Sequence, residues 1–294
     1  MKNRGLRRIL AFGPLFLAMV PSFARPEAAP TAQENPLKRV RLVVLEAGNP
    51  GPAKVGFEVE LEPGWHLYWV NPGDAGLAPN ARWTLPPGFA ASLLRHPVPE
   101  KSVQSGFVSL GHEGRVLLIA EINPPPTGWP KGPWEAAAVL EWMACRESCL
   151  TGEYAVKAVF PPDAAALAEG RALLKTFADR FPRPFSESGL TAGRGSAVRF
   201  GAGWRVEVAV TGPLAAEATE FFAYPLEGFV VQNSAVAVRR GKIVCPLVPS
   251  RGPGAAPPSA VGGILVVAGR GYEIAVPVAP FSRDRKFLEN PSWR

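Results

Sequence analysis

Cysteine and histidine are scarce in this sequence, with three residues of each in 294. The histidines, His66, His96 and His112, lie far apart, and none has the short local spacing of a structural zinc motif. The chain also contains no G-x-S-x-G elbow, no glycine-rich phosphate loop and no H-E-x-x-H. Hydrolases and kinases therefore have no support in the sequence.

Long apolar runs are missing after the N-terminus, so we expect no later segment to cross a membrane, which takes about 20 residues. Residues 1–24 have the pattern of a signal peptide. Lys2, Arg4, Arg7 and Arg8 precede an apolar run from Ile9 to Val20, and Ser22-Phe23-Ala24 supplies small residues at a cleavage site. We expect export with cleavage after Ala24. An uncleaved anchor is the alternative.

Positive charge is modest once this segment is set aside. It carries four basic residues and no acidic ones, so its removal lowers the formal net charge from +7 to +3. The sequence has no basic stripe of the kind that binds nucleic acid. The remaining 270 residues suffice for two domains, and 33 prolines and 30 glycines favour turns between short strands.

The first half of the mature chain has the pattern of a β-sandwich. Val55, Phe57, Val59 and Leu61 alternate with small or acidic residues, as in a half-buried strand. About eight such strands fit between residues 37 and 160, which suits an antiparallel sandwich. Gly111 to Gly114 is expected to close a hairpin between two of them. Residues 25–36, rich in proline and alanine, are expected to form a flexible leader.

A helix separates this block from a second one. Asp163 can cap a helix, and Leu167, Leu174 and Phe177 follow at helical spacing, so residues 161–196 are predicted to form a helix and linker. Alternating strands return after residue 197 and predict a second sandwich over 197–283, with a polar tail at 284–294. The predicted fold class is all-β, with two antiparallel sandwiches.

Two of the three cysteines, Cys145 and Cys149, lie four positions apart. In an extended chain they would be separated by about 13 Å, whereas a disulfide needs Cα atoms about 4.4–6.8 Å apart. The pair can close only if Arg146-Glu147-Ser148 forms a tight turn. Such a short ring stabilises a fold weakly, which raises the case for redox exchange relative to a purely structural disulfide.

The spacing alone leaves alternatives open. C-x3-C is not the two-residue spacing of a thioredoxin-type motif, so from spacing alone a static disulfide is the default interpretation, ahead of redox exchange and of a metal site. A metal would need further ligands and would be a soft ion such as Cu(I) or Zn. Arg146 beside Cys145 slightly favours a thiolate there, and hence Cys145 as the attacking thiol. Cys245, in an alternating strand, is expected to be a buried small hydrophobe.

Aromatic residues concentrate near the cysteine segment. Trp65, Tyr68, Trp69 and Trp142 are interpreted first as core residues, because aromatic side chains favour strands and burial. Their functional interpretation is an apolar shelf that shields the cysteine pair. Both roles are compatible, since a strand buries only one face.

Taken in order, these motifs resemble the N-terminal periplasmic region of DsbD/ScsB-type thiol:disulfide interchange proteins. The resemblance rests on Gly64 to Trp69, Asn71 to Asp74, Trp83 with Leu85 to Phe89, His96 to Pro99, Gly111 to Gly114, Trp142 to Cys145 and Cys149 to Gly152. It covers residues 38 to 160 strongly. The second block, with Phe221-Phe222 through Gly228-Phe229, resembles the second sandwich of ScsB-like proteins more weakly.

The resemblance implies immunoglobulin-like sandwiches and a redox role for Cys145 and Cys149. The segment from His96 to Phe107 corresponds to a cap loop over the pair, although the acidic-aromatic triplet of the best-known members is absent. The expected shielding or supporting residues are Trp65, His66, Tyr68, Phe107, His112 and Trp142. The membrane helices and the thioredoxin-like domain of the family are also absent from this sequence.

The function expected from the sequence is thiol–disulfide exchange in the periplasm, of the protein-disulfide reductase type. The expected partners are a membrane electron-donor protein acting in trans and oxidised periplasmic proteins, with no nucleic acid and no membrane insertion after signal cleavage. We expect the exchange to use no cofactor and no metal. There are two alternatives: a non-catalytic binding module with a structural disulfide, and a periplasmic copper-binding protein.

Overall fold

The computed structural model describes residues 35–48, 51–104, 106–252 and 254–279. The predicted signal peptide, most of the predicted leader and the predicted tail lie outside these ranges. The described residues of the first half form strands β1 (Leu37–Glu46), β2 (Ala53–Leu61), β3 (His66–Gly73), β4 (Asn80–Thr84), β5 (Ala90–Ala91), β6 (Glu100–Gln104), β7 (Phe107–Glu113), β8 (Arg115–Asn123), β9 (Trp134–Cys145) and β10 (Cys149–Phe160).

These ten strands form two sheets that enclose one apolar core. The first sheet has the order β1-β2-β8-β5, and the second has the order β10-β9-β3-β7-β6 with β4 also paired to β9. Alternate residues of β2 and β9 supply the core, as the period of two predicts, with Phe57, Val59 and Leu140 fully buried. The prediction of an immunoglobulin-like antiparallel sandwich is confirmed.

The hairpin predicted at Gly111 to Gly114 is wrong. β7 and β8 follow each other directly, but β7 pairs with β3 and β6, whereas β8 pairs with β2 and β5. The chain therefore crosses from one sheet to the other at Gly114. Turn residues mark the change of direction, but they do not specify whether the next strand joins the same sheet.

The predicted helix is α1 (Ala164–Phe177). Asp163 caps it, because its Oδ1 accepts a hydrogen bond from the backbone N–H of Ala166 at 2.7 Å. Leu173 and Phe177 pack against Leu45 and Leu117 on the outer side of the β1-β2-β8-β5 sheet. The helix therefore belongs to the wall of the first sandwich, and a short 3-10 turn follows it over Ala178–Arg180.

The second half adds strands β11 (Arg183–Pro184), β12 (Thr191–Ala192), β13 (Ser196–Phe200), β14 (Gly203–Thr211), β15 (Ala218–Ala223), β16 (Phe229–Val231), β17 (Ala237–Arg239), β18 (Lys242–Pro249), β19 (Ala260–Val267) and β20 (Arg270–Pro277). One sheet has the order β11-β20-β19-β15. The other has the order β12-β14-β18-β16, with β13 on β14 and β17 on β18. The segment expected to be a linker thus contributes β11 and β12 to the second sandwich.

Both sandwiches belong to one compact unit that begins at Asn35. Their contact is a separate apolar cluster in which Trp69 of β3 packs against Phe222 and stacks on Tyr224 with ring centroids 5.4 Å apart. Asn71 adds two hydrogen bonds across the contact, to the carbonyl of Ala223 at 2.8 Å and to Asn233 Oδ1 at 3.0 Å. Strand β3 therefore joins the two sandwiches.

Candidate functional site

Cys145 ends β9 and Cys149 begins β10, and a disulfide joins them across the three-residue turn. The two residues are directly opposite each other in the antiparallel register, with Cα atoms 4.1 Å apart. The backbone N–H of Arg146 donates to the carbonyl of Ser148 at 3.1 Å and closes the turn. The tight turn that the spacing requires is thus present.

The two cysteines differ in accessibility. Cys145 is buried, with 4% of its surface exposed, whereas Cys149 is exposed at the start of an edge strand. The hydroxyl of Tyr68 donates to Cys145 Sγ at 2.9 Å and lies 3.7 Å from Cys149 Sγ. An incoming thiol or disulfide can therefore reach Cys149, while Tyr68 is placed to stabilise a thiolate on Cys145.

Tyr68 is itself covered by the chain that follows β3. Gly76 lies against the Tyr68 ring so closely that a Cβ there would be 2.4 Å from two ring atoms. Its φ of +111° is a backbone conformation that glycine adopts without strain. Burial raises the pKa of the Tyr68 hydroxyl, and a hydrogen bond with Ser109 opposes that rise. Tyr68 thus remains a neutral hydrogen-bond donor beside the sulfur atoms.

His66 shares the face of the sheet that carries the disulfide. It is the direct cross-strand neighbour of Cys145, and its ring meets the Tyr68 ring edge-on at 5.0 Å. Burial lowers the pKa of His66, and the charge of Glu113 acts in the opposite direction. A neutral imidazole therefore borders the pair at neutral pH.

Trp65 and Trp142 support the pair from the opposite face of the sheet. Both belong to, or pack against, the core of the first sandwich. The guanidinium of Arg146 lies over the Trp65 ring at 5.2 Å, which anchors the turn between the cysteines. Trp142 lies across Gly152, its direct partner in β10. These two residues hold the hairpin in place rather than screening the sulfur atoms.

The structure does not bring Phe107 and His112 to the disulfide. Phe107 begins β7, where it is paired with Gln104 of β6, and it is 61% exposed. His112 points to the other face of β7, where its ring stacks on His96 with centroids 6.1 Å apart. Burial lowers the pKa of His96 to about 4 and that of His112 to about 3.

The described part of the segment that resembles a cap loop contains β6, which β3 and β7 separate from β9 in the sheet. Its backbone at Val98 donates to the carbonyl of Arg180 at 2.8 Å, and β6 then pairs with β7. The chain that packs on Tyr68 comes instead from the segment after β3, around Gly76. Sequence reasoning missed Gly76 and Ser109, because neither is adjacent to a cysteine and only the pairing of β3 with β7 brings Ser109 close.

The third cysteine, Cys245, lies in the core of the second sandwich. Cys245 is fully buried in β18, and burial raises the pKa of its thiol to about 12. Within the described residues there is no cluster of three or more histidine, cysteine or acidic side chains able to hold a metal ion. No helix there has the length and hydropathy needed to span a bilayer.

Fold and site together define a protein of two β-sandwiches that carries an accessible disulfide on an edge strand. Residues 33–161 match the family described as Thiol:disulfide interchange protein DsbD, N-terminal. This part of the chain is therefore a DsbD/ScsB-type N-terminal domain. Together with the Cys145–Cys149 disulfide, the match supports thiol–disulfide interchange as its general chemistry.

A solved structure extends the likeness to both sandwiches. The N-terminal periplasmic domain of ScsB from Proteus mirabilis superposes with a TM-score of 0.57 at 17% identity, covering 82% of this chain and 92% of that one. At this identity the likeness concerns the fold. A search of curated proteins finds no match.

Proposed function

We propose that this protein exchanges disulfides with other proteins in the periplasm through Cys145 and Cys149. The observation that carries the proposal is the asymmetry of the pair. An exposed Cys149 is bonded to a buried Cys145, whose sulfur accepts a hydrogen bond from Tyr68 at 2.9 Å. A purely structural disulfide needs neither an accessible sulfur nor a hydrogen-bond donor directed at the buried one.

Cys149 is the attacking thiol in this proposal, although the sequence slightly favoured Cys145. Exposure outweighs the charge of Arg146, because a buried thiol cannot reach a sulfur atom of another protein. The Cys149 thiolate attacks one sulfur of the partner disulfide, and the other partner sulfur leaves as a thiolate that takes up a proton. Cys145 then attacks Cys149, restores the intramolecular disulfide and releases the partner's second thiol.

Each turnover moves two electrons from the Cys145–Cys149 dithiol to the partner. The oxidised pair must then be reduced again, and we assign that step to a membrane electron-donor protein acting in trans. The periplasmic setting is supported by the signal pattern in residues 1–24 and by the likeness to a periplasmic ScsB domain. We place the redox function in the first sandwich, residues 37–160.

A redox titration of the purified protein tests the proposal. The pair is expected to cycle between its two states while the protein remains folded, with a potential above the roughly −300 mV that is typical of structural disulfides. Mass spectrometry after alkylation at defined glutathione ratios reports the fraction oxidised, and near-ultraviolet circular dichroism reports the fold. If the pair is reduced only when the protein unfolds, the disulfide is structural and the proposed exchange is wrong.

Trapping variants test the order of attack. Cys145→Ser removes the resolving thiol, so it should accumulate reductant-sensitive complexes in the periplasm, whereas Cys149→Ser should not. Cys245→Ser serves as the matched control, because a fully buried thiol outside the site should not change trapping. Non-reducing electrophoresis and mass spectrometry of the adducts give the readout. If neither variant traps a partner, the proposed exchange is wrong.

A further inference from the structure

Strand β10 is an edge strand that begins at the exposed cysteine. Among the described residues, β10 pairs with β9 on one side and with no strand on the other. Cys149, Thr151 and Glu153 are exposed along its first half. An edge strand with free backbone groups is a template for pairing with another extended chain.

The spacing of the cysteine pair shows which backbone groups point to the open side. In an antiparallel ladder, opposite residues that exchange no hydrogen bonds are closer, at about 4.5 Å, than hydrogen-bonded ones, at about 5.5 Å. The Cα separation of 4.1 Å therefore makes Cys145 and Cys149 a non-hydrogen-bonded pair. The backbone groups of Cys149, and by alternation those of Thr151 and Glu153, point away from β9 into solvent.

A strand added along this edge would place its residues at the right distance for exchange. Neighbouring strands lie about 4.7–4.9 Å apart, and directly opposite Cα atoms fall within the range that a disulfide spans. Cys145, Cys149 and a cysteine on the added strand would then follow one another across three adjacent strands. Their three sulfur atoms would lie on one face of the sheet and nearly in line, as attack on a disulfide sulfur requires.

We propose that an extended, cysteine-bearing segment of the oxidised partner pairs with the open edge of β10 at Cys149–Glu153. This inference rests on the proposed function and names how the partner docks. The partner's cysteine lies opposite Cys149, and the outward N–H and C=O groups of Cys149 and Thr151 bond its backbone. Recognition through the main chain depends little on partner sequence.

The groove farther along the same strand fits this mode of docking. It has a volume of about 500 Å³ and lies between β1 and β10, where Val40, Leu42 and Val156 contribute apolar walls. It begins at Ala155, directly after the proposed pairing segment. A partner strand that runs along β10 therefore reaches an apolar groove at one end, which accepts a side chain of that strand.

In the proposed complex the exchange proceeds without rearrangement of β9 or β10. The Cys149 thiolate forms a bond to the partner sulfur opposite it, and the bond to the second partner sulfur breaks. The Cys145 thiolate, on the other side of Cys149, then forms a bond to Cys149 Sγ and expels the first partner sulfur. Two protons are taken up by the two partner thiolates, and the partner leaves reduced.

The test uses the Cys145→Ser protein and a short β-branched peptide whose central cysteine is activated as a mixed disulfide with thionitrobenzoate. Attack by Cys149 releases coloured thionitrobenzoate, which gives the rate. Single backbone N-methyl groups are placed at successive positions of the peptide. A methyl group at a position whose N–H faces β10 should slow the reaction about three- to tenfold, because it removes a hydrogen bond. Alternate positions should show no effect.

Two variants and a second oxidant complete the experiment. Thr151→Pro removes one outward N–H at an edge position where proline is tolerated, and should slow the peptide reaction by a similar factor. Thr151→Val keeps that N–H and is the matched control. Glutathione disulfide has no strand that could pair with β10. It should therefore react at the same rate with the Cys145→Ser protein and with both Thr151 variants.

The outcomes separate the docking mode from the chemistry. N-methyl effects without a period of two, or equal slowing of peptide and glutathione disulfide by Thr151→Pro, would overturn strand pairing while leaving exchange intact. A protein that reacts with neither oxidant would overturn the proposed function itself.

Discussion

Tyr68 and Trp69 are neighbours in the sequence, yet their side chains meet different parts of the molecule. The Tyr68 hydroxyl donates to Cys145 Sγ, whereas the Trp69 indole stacks on Tyr224 of the second sandwich. The aromatic composition of this segment predicted burial for both. It did not distinguish the residue that serves the disulfide from the one that joins the sandwiches, because that depends on what packs on each face.

Removal of the Tyr68 hydroxyl should make the pair harder to reduce. Tyr68→Phe deletes a donor that stabilises the Cys145 thiolate, a form present only after reduction. A hydrogen bond to a charged group contributes about 1.5–3 kcal/mol, so the reduction potential should fall by about 30–60 mV. The pKa of the Cys145 thiol should rise in parallel. Glutathione titration and thiolate absorbance measure the two quantities.

Tyr224→Phe is the matched control for this substitution. Tyr224 is also an aromatic residue with a hydroxyl partner, Glu273, but it belongs to the second sandwich. Its loss of a hydroxyl should leave the potential unchanged. Equal shifts in both variants would indicate a general effect on the fold and would contradict the assigned role of Tyr68.

The two stacked histidines at the far side of β7 predict sensitivity to acid. The folded-state pKa values of about 4 for His96 and about 3 for His112 lie below the ordinary value of 6.5. The unfolded chain therefore binds more protons than the folded one below pH 6.5, and stability falls as the pH falls. Each histidine should contribute a slope of up to about 1.4 kcal/mol per pH unit down to its folded pKa.

Urea unfolding between pH 7 and pH 4 measures this slope. His96→Gln should reduce the loss of unfolding free energy on acidification, because one of the two protonation steps is removed. His66→Gln, at a half-buried position, should reduce it less. An unchanged slope in His96→Gln would show that other groups control acid unfolding.

At the scale of elements, the β9–β10 hairpin depends on a close contact between Trp142 and Gly152. A Cβ at residue 152 would lie 2.4 Å from the Trp142 ring, so Gly152→Ala must displace the indole from the core face. Overpacking of this kind costs about 1–3 kcal/mol. Denaturant unfolding should show that loss, and glutathione exchange should report any shift of the cysteine turn.

Gly132→Ala provides the comparison for this glycine. A Cβ there meets nothing within 4 Å, and its φ lies outside the left-handed region. Its unfolding free energy should change by no more than about 0.5 kcal/mol. If Gly152→Ala and Gly132→Ala lower the free energy of unfolding equally, the contact between Trp142 and Gly152 does not determine the stability of the hairpin.

The sequence predicted individual elements better than their pairing. Alternation located β2, and the Asp163 cap with helical spacing located α1, because these signals are local. The error at Gly111 to Gly114 arose because a turn that reverses a hairpin and a turn that crosses between sheets use the same residues. The position of the segment around Gly76 over Tyr68 likewise depends on contacts distant in sequence.

At the scale of the whole molecule, the composition and the spacing of the predicted strands indicated two sandwiches but not the contact between them. Trp69, Phe222 and Ile264 belong to three strands that are far apart in the sequence, and each has an ordinary core pattern by itself. Only the folded chain shows that these residues form a cluster between the sandwiches. The hydrogen bonds from Asn71 to Ala223 and Asn233 reinforce it.

Loss of this junction should uncouple the two sandwiches. Trp69→Ala removes the ring that stacks on Tyr224, and substitutions of this size in a core cost about 3–5 kcal/mol. We expect calorimetry to show one unfolding transition for the unmodified protein and two for the variant. Trp129→Ala, within the aromatic cluster of the first sandwich, should lower the melting temperature without splitting the transition. A single transition in Trp69→Ala would contradict a coupling role for the cluster.

The short ring closed by Cys145 and Cys149 also bears on how the protein can evolve. By the loop-entropy model, a ring of this size stabilises the folded chain by about 2 kcal/mol, against about 4.7 kcal/mol for a ring of 100 residues. By a thermodynamic cycle, that stabilisation equals the difference between the reduction potentials of the disulfide in the folded and in the unfolded chain. For this two-electron couple, about 2 kcal/mol corresponds to about 45 mV. Folding therefore constrains the potential only weakly. Substitutions that tune electron affinity, such as those at Tyr68, and substitutions that alter stability can accumulate almost independently.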